Sequence, residues 1–264
     1  MFRKYLLLIC LMFVGISTAN AFDHQQWNSL LKRHVVEIDG GQSTKADYAG
    51  FATERQDLKR YLASLSAISQ AEFDNWSTEL QLAFLINAYN AWTVELILTK
   101  YPDLTSIRDL GGLFSSPWEK EFIPLLGHTV SLDYIEHELI RGSGRYNDPR
   151  IHFAVNCASI GCPALRNEAY SAESLDQQLE KQTQLFLKDK SRNHIVKNSL
   201  QVSKIFKWYR EDFEKGWRNA ESLQAFLLLY ADALALDSKQ QKKLAQGQLS
   251  VQFMDYDWHL NNTQ

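Results

Sequence analysis

The sequence predicts a helix-rich α+β chain forming a single domain, in which a buried central helix packs on a small, mainly antiparallel sheet. Three observations lead there. The composition, 45% hydrophobic and 22% charged over 264 residues with 5 Pro and 12 Gly, is that of a foldable globular chain with a sizeable core. Apolar residues recur at helical spacing through most of the length, and one stretch is apolar on nearly every side. Short apolar runs flanked by turn residues interrupt the helical pattern in a few places only.

Residues 1–21 stand apart from that domain. Arg3 and Lys4 precede an apolar run over residues 5–16, followed by Ser17, Thr18 and the small-x-small triplet Ala19-Asn20-Ala21, the pattern of a cleaved secretory signal. The domain is therefore expected over residues 22–264, in the periplasm or secreted. The apolar run is shorter than the ~20 residues of a bilayer span, so no stable membrane insertion is expected after cleavage. Net charge is −3, and no run of Lys or Arg supplies the electrostatic basis for a nucleic-acid partner.

Helical spacing begins at residues 27–36 and returns at 58–65, with Thr53 and Glu54 as polar entry residues. Ser77 is a suitable N-cap for a long helix over residues 78–100, which Tyr101-Pro102 ends. Its residues 80–98 are apolar except Gln81, Asn87, Asn90, Thr93 and Glu95, a composition that suits a buried rod and is too polar for a membrane span. Asn87, Asn90 and Thr93 fall within an arc of about 120°, so one polar line runs along the rod. Two readings stay open: the amides bond to neighbouring backbone and fix packing, or they line a cleft.

A hairpin is expected over residues 122–132 around Gly127-His128, then a helix over 132–141 capped by Ser131. His137-Glu138 is followed by Arg141 where a zinc-protease helix needs its second His, and Gly142-Ser143-Gly144 lacks the spacing of a nucleophile elbow or a dinucleotide loop. No cofactor is implied. Residues 151–157 alternate as a strand does, with His152, Ala154 and Asn156 on one face and Ile151, Phe153, Val155 and Cys157 on the other. A regular strand would separate His152 from Cys157; a turn starting at Asn156 would reunite them. Downstream, a helix follows Ser171, a second hairpin flanks Asn198-Ser199, helices start near Lys204 and Glu221, and residues 251–258 suit a closing strand. Trp208, Tyr209 and Trp217 read as core or partly buried aromatics.

Five blocks carry a family likeness: Phe84-Leu-Ile-Asn87-Ala-Tyr89-Asn90-Ala, Ser131-Leu-Asp-Tyr-Ile-Glu136, Asp148-Pro-Arg-Ile-His152-Phe-Ala-Val-Asn-Cys157, Gly161-Cys162-Pro163 and Tyr256-Asp-Trp-His-Leu-Asn261. In this order they resemble the family called domain of unknown function 547, over most of residues 77–261, and the leading signal implies an exported bacterial member. The resemblance supplies no reaction. It marks Asn87, Asn90, Glu136, His152, Cys157 and Cys162 as the place where a site would be.

Two functions remain in view. In the first, a thiol-dependent hydrolase or acyltransferase, Cys157 or Cys162 is the nucleophile, His152 the base, and Asn87 or Asn90 an orienting or oxyanion group. That layout is similar to papain-like and transglutaminase-like enzymes, except that the helix here bears Asn where theirs bears Cys. In the second, a non-catalytic binding domain carries a Cys157–Cys162 disulfide, and Asn87, Asn90 and Glu136 help to hold a small molecule, a peptide or an envelope component. Cys157 and Cys162, the thiols left after cleavage, are natural disulfide candidates in an oxidising compartment. With His152 they offer three ligands without paired spacing, so no metal site is expected.

Overall fold

A computed structural model describes residues 22–112 and 115–263. The predicted signal over residues 1–21 lies outside the described residues. The described residues open with α1 (Gln25–His34), a hairpin of β1 (Val35–Ile38) and β2 (Ser43–Ala46), and the helices α2 (Tyr48–Thr53), α3 (Arg55–Ser66) and α4 (Gln70–Asp74). The β1–β2 hairpin, α2 and α4 are short, and no periodicity announces them. His24, at the N-terminal edge of α1, is buried with Nδ1 2.7 Å from the Tyr61 hydroxyl. Burial lowers its pKa from 6.5 to about 4. The unfolded chain therefore takes up this proton first as pH falls, so the stability is complete above pH 6.5 and drains away toward pH 4. Unfolding in urea is expected to show a loss of about 3 kcal/mol across that interval, and His24→Gln to lose correspondingly less.

The predicted buried rod is α5 (Thr78–Leu98). Ser77 caps it by accepting from the Leu80 amide, and every residue from Leu80 to Leu98 is buried. Its principal neighbours are α2, α3 and the helix over Tyr134–Arg141, so helices enclose the rod. Among the described residues the strands are spread over three small sheets: β1–β2, the predicted hairpin β3 (Ile123–Leu125) with β4 (His128–Val130), and β5 (His194–Val196), β6 (Ser199–Val202) and β7 (Ser250–Phe253). Pairing is antiparallel except between β6 and β7, which run parallel. Between them lie α6 (Leu175–Lys188), α7 (Ile205–Trp208), α8 (Arg210–Phe213), α9 (Leu223–Leu229) and α10 (Ser238–Ala245). Among the described residues, no helix is long and apolar enough to cross a membrane.

One expectation is corrected. Residues 149–153 form a 3₁₀ helix, not a strand. Asp148 accepts from the Arg150 amide and Pro149 occupies the first turn, so the Asp-Pro pair that reads as a turn is an N-cap followed by N1 proline. Burial is continuous from Pro149 to Phe153 and shows no alternation, because this segment is wedged between two cores. Ile151 belongs to the core around α5, whereas Phe153 joins Phe186, Phe206, Phe213 and Phe226 in the second. His152 is held at that junction.

Candidate functional site

The helix over Tyr134–Arg141 has π geometry, bonding five residues back instead of four. Its last bond runs from the Gly142 amide to the His137 carbonyl, where a β-carbon on residue 142 would stand 2.7 Å from that oxygen. A glycine is therefore built into the end of the turn. This helix and the preceding Asp133 line one cavity of about 420 Å³, the helix through Glu136, His137 and Arg141. His152, Cys157 and Cys162 line the same cavity. The separation that a strand would have imposed on His152 and Cys157 does not arise, because the 3₁₀ turn does not send successive side chains to opposite faces.

His152 is almost fully buried and its ring stacks on Tyr209, with centroids 4.0 Å apart. Its Nε2 lies 2.7 Å from Oδ2 of Asp212. Desolvation lowers the His152 pKa against the raising effect of Asp212, so the ring is neutral at pH 7, donates its Nε2 proton to Asp212, and keeps a lone pair on Nδ1. That Nδ1 is buried and has no partner. Asp212 also receives Arg141 Nε at 2.5 Å and Lys215 Nζ at 2.7 Å. Burial alone would raise the Asp212 pKa, but these three donors hold it well below the usual carboxylate range.

Glu136 is buried, and its Oε1 likewise lacks a partner. The phenols of Tyr89 and Tyr209 are raised above their ordinary pKa by burial first and then by the adjacent Glu136, through its charge and as an acceptor for their hydroxyls. Both hydroxyls therefore stay protonated. The more exposed part of the lining is aromatic. Trp208 contacts Tyr256 at 4.8 Å and Trp258 at 5.7 Å between centroids, and Trp258 meets Trp118 edge-on at 5.7 Å. Trp208, predicted to be core or partly buried, is 44% exposed, because the short α7 ends at it beside the cavity.

Cys157 and Cys162 are joined in a disulfide. Asn156 braces this loop, accepting from the Ala158 amide at 2.9 Å and donating to the Pro163 carbonyl at 2.7 Å. Asn87 and Asn90 do not line the cavity. Asn87 donates to the Tyr170 carbonyl at 2.8 Å and accepts from the Tyr170 amide at 3.0 Å. Asn90 donates to the Ala154 carbonyl at 3.0 Å and accepts from the Asn156 amide at 2.8 Å. Of the two readings for the rod's polar line, the geometry matches the first: these amides clamp backbone, and Asn90 clamps the stretch between His152 and Cys157.

Arg141, Tyr209, Asp212 and Tyr256 complete the site and are not singled out as site residues by sequence reasoning. Tyr256 lies in a recognisable block, and Tyr209 in an aromatic pair; Asp212 carries no local signal at all. Among the described residues, no group of three or more His, Cys, Asp or Glu is placed to hold a metal ion.

The model of the family described as Protein of unknown function, DUF547, matches residues 73–187. The matched segment runs from α4 to α6 and contains Glu136, Arg141, His152 and both cysteines, while Trp208, Tyr209, Asp212, Tyr256 and Trp258 are supplied from beyond it. No curated protein and no solved structure matches the chain.

Proposed function

We propose, for a chain whose residues 73–187 match the DUF547 family, that this domain is a receptor for a small organic cation, either free or presented by a peptide or envelope component. The observation that carries the reading is that Glu136 and His152, whose Oε1 and Nδ1 are buried acceptors without a close hydrogen-bond partner, both line one aromatic cavity. Buried polar atoms in folded proteins are ordinarily satisfied, so a ligand that fits here brings hydrogen-bond donors. Aromatic faces and a carboxylate favour a cationic donor. Arg141 is engaged elsewhere: its Nε bonds Asp212, and its guanidinium already lies over the Tyr209 ring, 5.0 Å from the centroid. The disulfide supports placing the chain outside the cytoplasm, in the periplasm or secreted, with residues 1–21 as the export signal.

Calorimetric titration with n-butylamine, n-butanol and butyrate tests the reading. The amine is expected to bind saturably and more tightly than the other two, and Glu136→Gln to weaken it about tenfold or more, as the loss of one charge-assisted hydrogen bond would. Equal or better binding of butyrate overturns it.

A second reading applies to the reduced chain, because His152 shares its cavity with both sulfurs. Once the bridge is opened, a freed thiol gives its proton to His152 Nδ1 and attacks a carbonyl carbon, as in a thiol-dependent hydrolase or acyltransferase. Hydrolysis of a chromogenic acyl ester by the reduced protein, abolished in His152→Ala at an unchanged melting temperature, is the expected result. Equal rates in the two proteins would remove this reading.

A further inference from the structure

The two sulfurs of the bridge are not equivalent. Cys162 is 2% exposed, whereas Cys157 is half-buried and the more accessible of the pair. Hydrogen-bond donors converge on the hidden one: the Cys157 amide stands 2.9 Å from Cys162 Sγ, and the Tyr256 hydroxyl 3.2 Å from it. The same hydroxyl lies 3.1 Å from Cys157 Sγ, so it reaches both ends of the bond. Burial raises the Tyr256 pKa well above its ordinary value, which keeps a proton there to donate.

The loop that carries the bridge is also held by hydrogen bonds. Asn156 closes the loop from within through its bonds to Ala158 and Pro163. From outside, the Ile160 and Gly161 amides donate to the His259 and Asp257 carbonyls, each at 2.8 Å. A β-carbon on Gly161 would stand 3.0 Å from Asp257 backbone atoms and from the Tyr256 ring, so the C-terminal segment that delivers Tyr256 lies directly on the loop. A bridge enclosing so short a loop constrains the unfolded chain little. A sulfur pair with one hydroxyl in reach of both atoms, set in a cavity wall and in a loop that other bonds also hold, is arranged for chemistry more than for stability.

We propose that Cys157–Cys162 is a thiol–disulfide exchange centre whose substrate is a dithiol entering through the aromatic-lined cavity. A substrate thiolate bonds to Cys157 Sγ as the Cys157–Cys162 bond breaks, and the electron pair leaves on Cys162. The Cys157 amide and the Tyr256 hydroxyl hold that thiolate. The second substrate thiol, as thiolate, then attacks the substrate sulfur of the mixed disulfide and expels Cys157 thiolate. The substrate becomes a disulfide, the bridge becomes two thiols, and the two protons that the substrate released end on Cys157 and Cys162. Two electrons move from dithiol to bridge, and the reverse sequence oxidises the centre. This inference does not rest on the cation reading, whose titration is read on the intact bridge.

The test uses the oxidised full chain with dithiothreitol as the dithiol, without denaturant, followed by alkylation and mass analysis. The bridge is expected to open in the native state. Tyr256→Phe is expected to slow opening about tenfold at an unchanged melting temperature, since one hydrogen bond to the leaving thiolate is lost. With glutathione disulfide, Cys162→Ser is expected to trap a mixed disulfide at Cys157 as glutathione thiolate leaves, and Cys157→Ser to form it at Cys162 at least about tenfold more slowly. Opening only in denaturant, a Tyr256→Phe rate equal to wild type, or equal trapping at the two cysteines overturns the assignment. If either serine variant does not fold, the dithiothreitol kinetics of the wild type and Tyr256→Phe decide.

Discussion

Asn90→Ala is expected to destabilise the protein by about 2–5 kcal/mol, seen as a lower urea midpoint at unchanged slope. The side chain lies on the buried rod and makes both of its bonds to main chain, donating to Ala154 and accepting from Asn156. Truncation leaves a buried carbonyl and a buried amide without partners, each costing about 1–3 kcal/mol, and opens a small void where side chains cannot readily rearrange. Asn90→Asp keeps the acceptor for the Asn156 amide but faces the Ala154 carbonyl with a second acceptor, so it is not a rescue. Because the clamp holds the backbone between His152 and the disulfide, the same variant is expected to weaken cavity ligands as well. An unchanged midpoint would contradict the clamp.

The second large effect is expected at Asp212, where one carboxylate receives His152, Arg141 and Lys215. Asp212→Ala leaves the Arg141 guanidinium without its counter-charge and frees the His152 ring to exchange tautomers. A loss of about 2–4 kcal/mol at pH 7 follows, at the lower end of buried-pair losses because Lys215 and part of Arg141 reach solvent. The pH dependence has a definite sign. The folded-state pKa of Asp212 is depressed, so its contribution is complete above the unfolded value near 4 and is lost as pH falls below it. The gap in stability between wild type and Asp212→Ala is therefore expected to narrow progressively below about pH 4. A gap that stays constant down to pH 2 would show that the carboxylate's ion pairs contribute nothing. His152, neutral and buried, acts in a separate window: its pKa is lowered by burial, so stability falls as pH drops below about 6.5.

Some of this was legible in residue order and some was not, and particular residues show the division. The rod α5 was legible because a helix apolar on every side has few places to go but the middle, and Ser77 and Tyr101-Pro102 mark its limits. The hairpins at Gly127 and Asn198 were legible because tight turns depend on local residue types. The 3₁₀ helix at Pro149–Phe153 reads as a strand in the sequence because its apolar residues face two different cores, which produces the same alternation as a strand with one buried face. Asp212 stands 60 positions from the imidazole it fixes and Tyr256 stands 99 from Cys157, distances at which no spacing rule operates.

By itself, then, the order of residues determined the helix-rich α+β class, the central rod, the family blocks and the candidacy of the two cysteines, because each depends on composition or on neighbours a few positions away. Tertiary structure alone decided that Glu136 and His152 meet in one aromatic cavity, that Asn87 and Asn90 serve the backbone instead, and that a tyrosine from the C-terminal segment spans the bridge. Side chains from distant segments converge only when the cores behind them pack, and that packing is a property of the whole chain.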